Sequence, residues 1–352
     1  MTDWLSSMQQ TFEYYIVDPY TWTDMKRIDN VKTSTISRDT DASTLGSATI
    51  DITESVGECY LRIYLITIQN GVREKYPLGT FLVQTPSFSY DGKVRNVSMD
   101  AYTPLLELKE NMPPLGYSIL KGENIMDYAY RLTREHVRAP VVKAVCAEEL
   151  FNDFVASTDD TWLTFTTDLI ANAKYTFDLD EMGRILFAPK QDTASLQPIW
   201  TYDDSNSSIL YPDLSLDHDL YGVPNVVEVI YSNGGDYYYS KVVNDDPNSP
   251  ISTVNRGREI VHRVTDPDVI GDPTRNQIQE YAEQLLRDLS SLEYTIKYSH
   301  GYCPVRVGDC VRLNYKAAGL TDVKAKVISQ TIKCEPGCPV TEKATFTVKL
   351  WG

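Results

Sequence analysis

The residues able to do chemistry are few and scattered. The four histidines are His136, His218, His262 and His300. His218 lies between Asp217 and Asp219, but sequence neighbours in a strand point to opposite faces and cannot jointly orient one imidazole, so the three do not read as a relay. Two segments resemble the start of a calcium loop, residues 266–271 and residues 178–183. In the first, Ile270 stands where an oxygen ligand is needed and Gln277 where a bidentate Glu belongs; in the second, Met182 takes the fifth place. Both read as turn and cap chemistry. Cys303, Cys310, Cys334 and Cys338 have the spacing C-x6-C and C-x3-C, not the tight knuckles of structural zinc, and read as incidental thiols around a Pro-Gly loop. Tyr237-Tyr238-Tyr239 suggests a sugar platform, although alternate tyrosines on a strand more often meet a core or another subunit. No phosphate loop, G-x-G-x-x-G, nucleophile elbow or H-E-x-x-H pair occurs. These residues predict no catalytic set, no metal site and no cofactor.

The elements that would position such residues are mainly β. The 352 residues allow two or three domains, and 42% hydrophobic with 23% charged residues is an ordinary globular balance. Phe12, Tyr14 and Ile16 alternate in a first strand. Tyr60–Gln69 is the clearest one, with Tyr60, Arg62, Tyr64, Ile66 and Ile68 on one side and Leu61, Ile63, Leu65 and Thr67 on the other. Asn70-Gly71 then predicts a two-residue hairpin turn. A partner strand is expected over 73–84, and Asp91-Gly92 predicts a second turn between strands 86–90 and 94–102, completing a meander.

Pro113-Pro114 closes this region. Ile125, Ala129 and Leu132 recur at helical spacing over 124–137, and Trp162, Phe165, Leu169 and Ile170 mark a second helix capped from 157–160. Residues 175–179 and 185–187 form a small hairpin. The chain then returns to β structure. Residues 226–231 and 237–243 flank Ser232-Asn233-Gly234-Gly235 as a hairpin, and one long helix follows, with Asp272 as cap, Pro273 first, and Ile278, Ala282, Leu285, Leu286 and Leu289 as its stripe. Strands are expected over 294–298, 305–313, 323–332 and 344–350. The division is 1–112, 113–200 and 201–352, the last with a helical insertion about 246–292.

Charge narrows the function. The net charge is −16, from 49 acidic against 33 basic residues, which disfavours a grip on phosphate. Residues 201–272 hold thirteen acids against four bases. No export signal or membrane span is encoded, so the thiols are expected reduced.

Two stretches carry a resemblance: residues 79–87, and Val97-Ser98-Met99-Asp100-Ala101-Tyr102-Thr103-Pro104-Leu105-Leu106-Glu107-Leu108. In the second, a strand runs into a short corner. With residues 161–171, 175–187 and Val305-Arg306-Val307-Gly308-Asp309-Cys310-Val311-Arg312-Leu313, the chain resembles phage baseplate hub and tail-tip proteins along nearly its whole length. Leu78 to Val83 and Val307 to Arg312 also resemble each other loosely, as two related barrels would. The resemblance implies two tail-tube-like antiparallel β-barrels plus a mixed α+β domain, and a non-enzymatic structural subunit of the virion, assembled in the host cytoplasm. It implies a homotrimer whose six barrels form a pseudo-hexameric ring. That ring would join the tail tube or distal tail protein to the central spike, contact the tape measure protein, and let DNA pass without specific binding. Any lytic function is expected on another polypeptide. Alternatives of the same resemblance are the tip of a non-contractile tail, a hub of a phage-derived particle, or a glycan-binding or cell-wall-hydrolysing tail protein. A lumen that DNA must slide through is expected to be net acidic, with Asp203, Asp204, Asp213, Asp217, Asp219 and Glu228 as available acids.

Overall fold

The computed structural model describes residues 2–54, 56–90, 92, 95–191, 195–205, 208–233, 236–267 and 274–351. Strands dominate and helices are few, as the sequence pattern requires. One 13-stranded sheet runs in the order Leu210–His218, Ser291–Gly301, Pro339–Lys349, Val323–Lys333, Val31–Asp39, Gly46–Ile52, Arg95–Tyr102, Val72–Tyr90, Tyr60–Gln69, Gln9–Val17, Asp24–Ile28. Trp200–Asp203 and Cys310–Asn314 branch from it. Among the described residues the pairings trace one path without a closing pair, and in it Val323–Lys333 pairs directly with Val31–Asp39. Nor is pairing everywhere antiparallel: Trp200–Asp203 runs parallel to Cys310–Asn314, and Val226–Asn233 parallel to Val261–Thr265.

Contacts divide the chain into two compact units, Met1–Leu214 with Tyr298–Ala344, and Ser215–Lys297 with Thr345–Gly352. In the first, the meander is built as its residues dictate. Asn70 and Gly71 have φ of 51° and 78°, the left-handed values a two-residue turn matching strand twist demands. The returning strand is longer than expected. Val72–Tyr90 runs unbroken for 19 residues, absorbing its irregularity as a register shift between Val83 and Thr85. Of the second turn, Asp91 lies outside the described residues. Apolar side chains of this sheet, among them Ile36, Ile50, Leu61, Ile63, Leu65 and Met99, make one core.

A second core in the same unit joins two helices to a hairpin. Ile125–His136 is capped by Asn124, whose side chain accepts from the Asp127 amide, and it buries Ile125, Met126, Ala129 and Leu132. Trp162–Asn172 is capped by Thr161, not by residues 157–160: Thr161 and Thr164 satisfy each other's backbone amides reciprocally. Tyr175–Leu179 pairs antiparallel with Ile185–Pro189. Downstream, the expected strand 305–313 is shorter. Only Cys310–Asn314 is strand, since Asp309 Oδ2 accepts from the Arg306 amide at 2.7 Å and folds 306–309 into a turn. The likeness of 307–312 to 78–83 therefore does not extend to their conformation.

The second unit is a three-stranded sheet, Asp236–Val243, Val226–Asn233 and Val261–Thr265, backed by the helix Arg275–Leu289. Asn233 pairs with Asp236, so the hairpin turns where expected, although Gly234 and Gly235 lie outside the described residues. The helix is capped by Thr274 in a reciprocal box with Gln277; the expected Asp272 and Pro273 lie outside the described residues. Stretch 246–292, expected as helical, also contains the Val261–Thr265 strand. Ile278, Ala282 and Leu286 bury against Val227, Val229 and Val242. Leu286→Ala should therefore destabilise this unit by about 2–5 kcal/mol, read by urea unfolding.

Candidate functional site

The strand Tyr60–Gln69 contains one charged residue, Arg62, between strands on both sides, and its side chain is only 1% exposed. A guanidinium so placed needs a partner for nearly every N–H. Nε donates to Thr80 Oγ1 at 2.8 Å and Nη1 to Asp24 Oδ1 at 2.8 Å. Nη2 donates to the carbonyls of Trp22 at 3.3 Å and Met182 at 3.1 Å. Met182 sits at the tip of the 175–189 hairpin, so Arg62 fastens that tip to the sheet. The Trp22 indole donates to the same Met182 carbonyl at 2.7 Å, and Trp22 takes φ 58° to do so.

The rest of the tip is held by two more arginines. Glu181 Oε1 lies 2.7 Å from Arg306 Nε and 3.6 Å from Arg38 Nη1. Arg306 Nη2 also donates to the Leu179 carbonyl and stands 3.6 Å from Asp178. Gly183 closes the tip with φ 77°, and a Cβ there would lie 2.7 Å from Thr80 Cβ. The segment 178–183 that mimics a calcium loop is thus a plug for the sheet. Its Asp180 carboxylate accepts from the amide of Arg184 at 2.8 Å, and Asp178 from that of Leu179 at 2.8 Å. Beside the plug is a cavity of about 580 Å³ lined by Arg38, Phe81, Asp178, Glu181, Arg306 and Asp309, among others. Burial raises the carboxyl pKa of both Asp178 and Asp309, outweighing Arg306 nearby.

From Arg38 a polar chain leads inward. Arg38 Nη1 donates to Gln330 Oε1 at 3.2 Å, and Gln330 Nε2 donates to Glu342 Oε1 at 2.5 Å. Glu342 also accepts from Tyr298 at 2.6 Å and lies 3.4 Å from His300 Nε2, with both members of this pair at most 1% exposed. His300 therefore does not stand alone. Its Nδ1 faces the Gly301 carbonyl at 2.6 Å and its Nε2 faces Tyr202 Oη at 3.0 Å. Burial opposes charge on the ring, but Cys303 and Glu342 more than compensate and push its pKa up to about 10. Burial likewise opposes the Glu342 carboxylate, and His300, Tyr298 and Gln330 together hold its pKa below the usual value.

The remaining expected residues are dispersed. Cys303 touches Tyr202 Oη at 3.2 Å, Cys310 lies in its own strand, and Cys334 and Cys338 belong to the core of the meander. Among the described residues, no group of three or more His, Cys, Asp or Glu is placed to hold a metal ion. Asp217 and His218 end the strand Leu210–His218, and Asp219 accepts from the Tyr221 amide at 2.7 Å. Of the first calcium-like segment, residues 268–271 lie outside the described residues; Asp266 Oδ1 accepts from the Ser232 amide at 2.7 Å. Sequence reasoning missed Arg38, Trp22, Arg306 and Glu342. The one legible signal was Arg62 itself, a lone charge inside YLRIYLITIQ.

No protein-family model matches this chain, and no curated protein matches it. Solved structures do match, two of them as follows over nearly their whole length. The tail protein from Neisseria meningitidis MC58 is 13% identical with a TM-score of 0.61, covering 97% of this chain and 98% of that one. The 43 kDa tail protein of prophage MuSo2 from Shewanella oneidensis is 11% identical, also with a TM-score of 0.61 and coverage of 97% and 98%. The chain has the tail-protein fold. Within that fold, the arginine-held plug fixes the hairpin to the sheet of its unit.

Two outcomes check this site. Arg62→Met should cost about 3–5 kcal/mol in denaturant unfolding, because it strands Asp24 and two carbonyls. The His300–Glu342 pair contributes to the pH response. A raised histidine pKa adds stability fully present below the unfolded value of 6.5 and lost as pH climbs through about 10. A lowered carboxyl pKa adds stability present above 4.5 and lost on acidification. Melting temperature should therefore peak between these values and fall on the alkaline side, and His300→Gln should flatten that alkaline fall.

Proposed function

We propose that this chain is a non-enzymatic structural subunit of a phage or phage-like tail, a hub at the baseplate or tail tip. The observation that carries the reading is the shared fold with two tail proteins across 97% of the chain. The finer reading is a homotrimer forming a pseudo-hexameric ring between the tail tube or distal tail ring and the central spike, around the DNA path and in contact with the tape measure protein. The division into 1–112, 113–200 and 201–352 belongs to the same proposal. Of the three cores only that around the Arg275–Leu289 helix lies within one of these parts; the helix–hairpin core also takes in Val17, Trp22 and Tyr60, and the core of the meander Tyr302, Ile332 and Val340.

The charge of −16 suits a ring that DNA crosses without sticking, since an acidic wall repels phosphate. Glu228 is not a free acid for that purpose, because Arg263 pairs with it at 2.6 Å. A reconstruction of the assembled tail tests the proposal. Three copies around a pore with a net acidic lining are expected. Six copies would defeat the trimer, a Lys- and Arg-rich lining would defeat the electrostatic part, and absence of the chain from the particle would defeat the whole reading.

A further inference from the structure

Residues 117–124 run antiparallel to residues 149–156 as a two-stranded ribbon over the helix–hairpin core. Ser118 pairs with Val155 and Ile119 with Phe154, the Ala156 amide donates to the Tyr117 carbonyl, and a bridge joins Asn124 to Glu149. Alternation along such a ribbon sends every second side chain to the same face. Ile119 and Leu150 go inward, at 1% and 6% exposure, and belong to the core that holds the two helices. Val155, Leu120 and Phe151 take the outward face, at 59%, 64% and 82%. Leu115, in the turn between Pro114 and Tyr117 that leads into the ribbon, is 86% exposed. Leu, Val and Phe gathered at the surface in this way mark a contact site.

Charge decides what covers it. Glu149 and Asp153 alternate with Phe151 and Val155 on the outward face, and Glu123 and Glu148 flank them. Among the described residues none of these four carboxylates is ion-paired; Asp153 Oδ1 accepts from the Lys121 amide at 2.8 Å. Lys121 is the ribbon's one cationic residue, and its ammonium lies over the Phe151 ring at 5.3 Å. Neighbouring charges do not reverse the sign. Lys143 is held by Asp127 at 2.9 Å, Arg131 and Glu135 act on Tyr117 in opposite senses, and Asp159 and Asp160 just past the ribbon are further acids. The face is therefore apolar and net acidic. Nucleic acid and an anionic bilayer are repelled by it, and so is a second copy presenting the same face. Basic residues set around apolar ones complement it. We propose that the outward face of this ribbon, around Leu120, Phe151 and Val155, docks a partner polypeptide that carries Lys or Arg beside apolar side chains. The proposal stands on the ribbon and its charges and not on the tail reading.

Fluorescence anisotropy with a labelled, alternating Leu-Lys octapeptide tests it on the full chain. The wild type should bind saturably and more weakly as salt is raised. Leu120→Ser/Phe151→Ser should weaken binding about tenfold or more, and Glu148→Gln/Glu149→Gln should weaken it too. Should the first double variant unfold, Phe151→Ser alone, at a position 82% exposed, carries the same test. Tyr20→Ser/Tyr221→Ser removes rings that are 95% and 94% exposed elsewhere and should leave binding unchanged. Wild-type affinity in either ribbon variant would overturn the proposal, since the peptide would then be following net charge or apolar area alone. A wild type that does not bind saturably would also overturn it, and neither result touches the tail reading. Partition of the wild type onto phosphatidylcholine vesicles, lost in Phe151→Ser and without peptide binding, would assign the face to a lipid surface instead.

Discussion

A guanidinium cannot be taken out of water without replacing its hydration, and Arg62 sits at 1% exposure in the middle of a strand. That requirement fixes much around it. Thr80 must lie on the neighbouring strand facing inward, Asp24 must begin the outermost strand within reach, and the carbonyls of Trp22 and Met182 must both point at one nitrogen. The turn leading to Trp22 accordingly adopts a left-handed φ, and Gly183 is glycine because Thr80 and Trp22 leave no room for a side chain. A buried ion pair of this sort adds little net stability over an apolar packing of the same volume. What it adds is a geometric demand, since a slipped register or a differently seated hairpin would move Thr80 or the Met182 carbonyl away from the guanidinium.

The same logic extends along the second set of polar groups. Arg306 and Arg38 share Glu181, Arg38 reaches Gln330, and Gln330 reaches Glu342 and its partner His300. Each group is satisfied by the next, so the line runs from the hairpin tip into the interior of one unit without an unpaired charge. His300, at 1% exposure, faces Glu342, Tyr202 and a backbone carbonyl. Its perturbed pKa therefore reports packing, which perturbs titration as readily as catalysis does.

Local chemistry was legible in the sequence where short-range rules decide. Asn70-Gly71 forced its turn, Asn124 capped its helix, and the stripe of Ile278, Ala282 and Leu286 faced the sheet. The cap at Thr161 was misjudged by a few residues because 157–160 also offers capping side chains. Strand partners were a different matter. Nothing local marks Val323–Lys333 as the neighbour of Val31–Asp39 almost three hundred residues away, nor Val261–Thr265 as a parallel partner of Val226–Asn233. The site was illegible for the same reason: Arg62 and Met182 meet only after the hairpin is seated, and a carbonyl acceptor has no signature in a sequence.

The two units handle charge in opposite ways, and this bears on how each is used. In the first, charged groups are driven inside and spent on backbone carbonyls and on one another, so their replacement unseats an element. In the second, Arg263, Glu228, Lys241 and Glu259 are paired on an open face, where pairing costs little desolvation and holds no element in place. Pairing there offsets part of the charge on that face, where Asp266 also accepts from the Ser232 amide and hydroxyl.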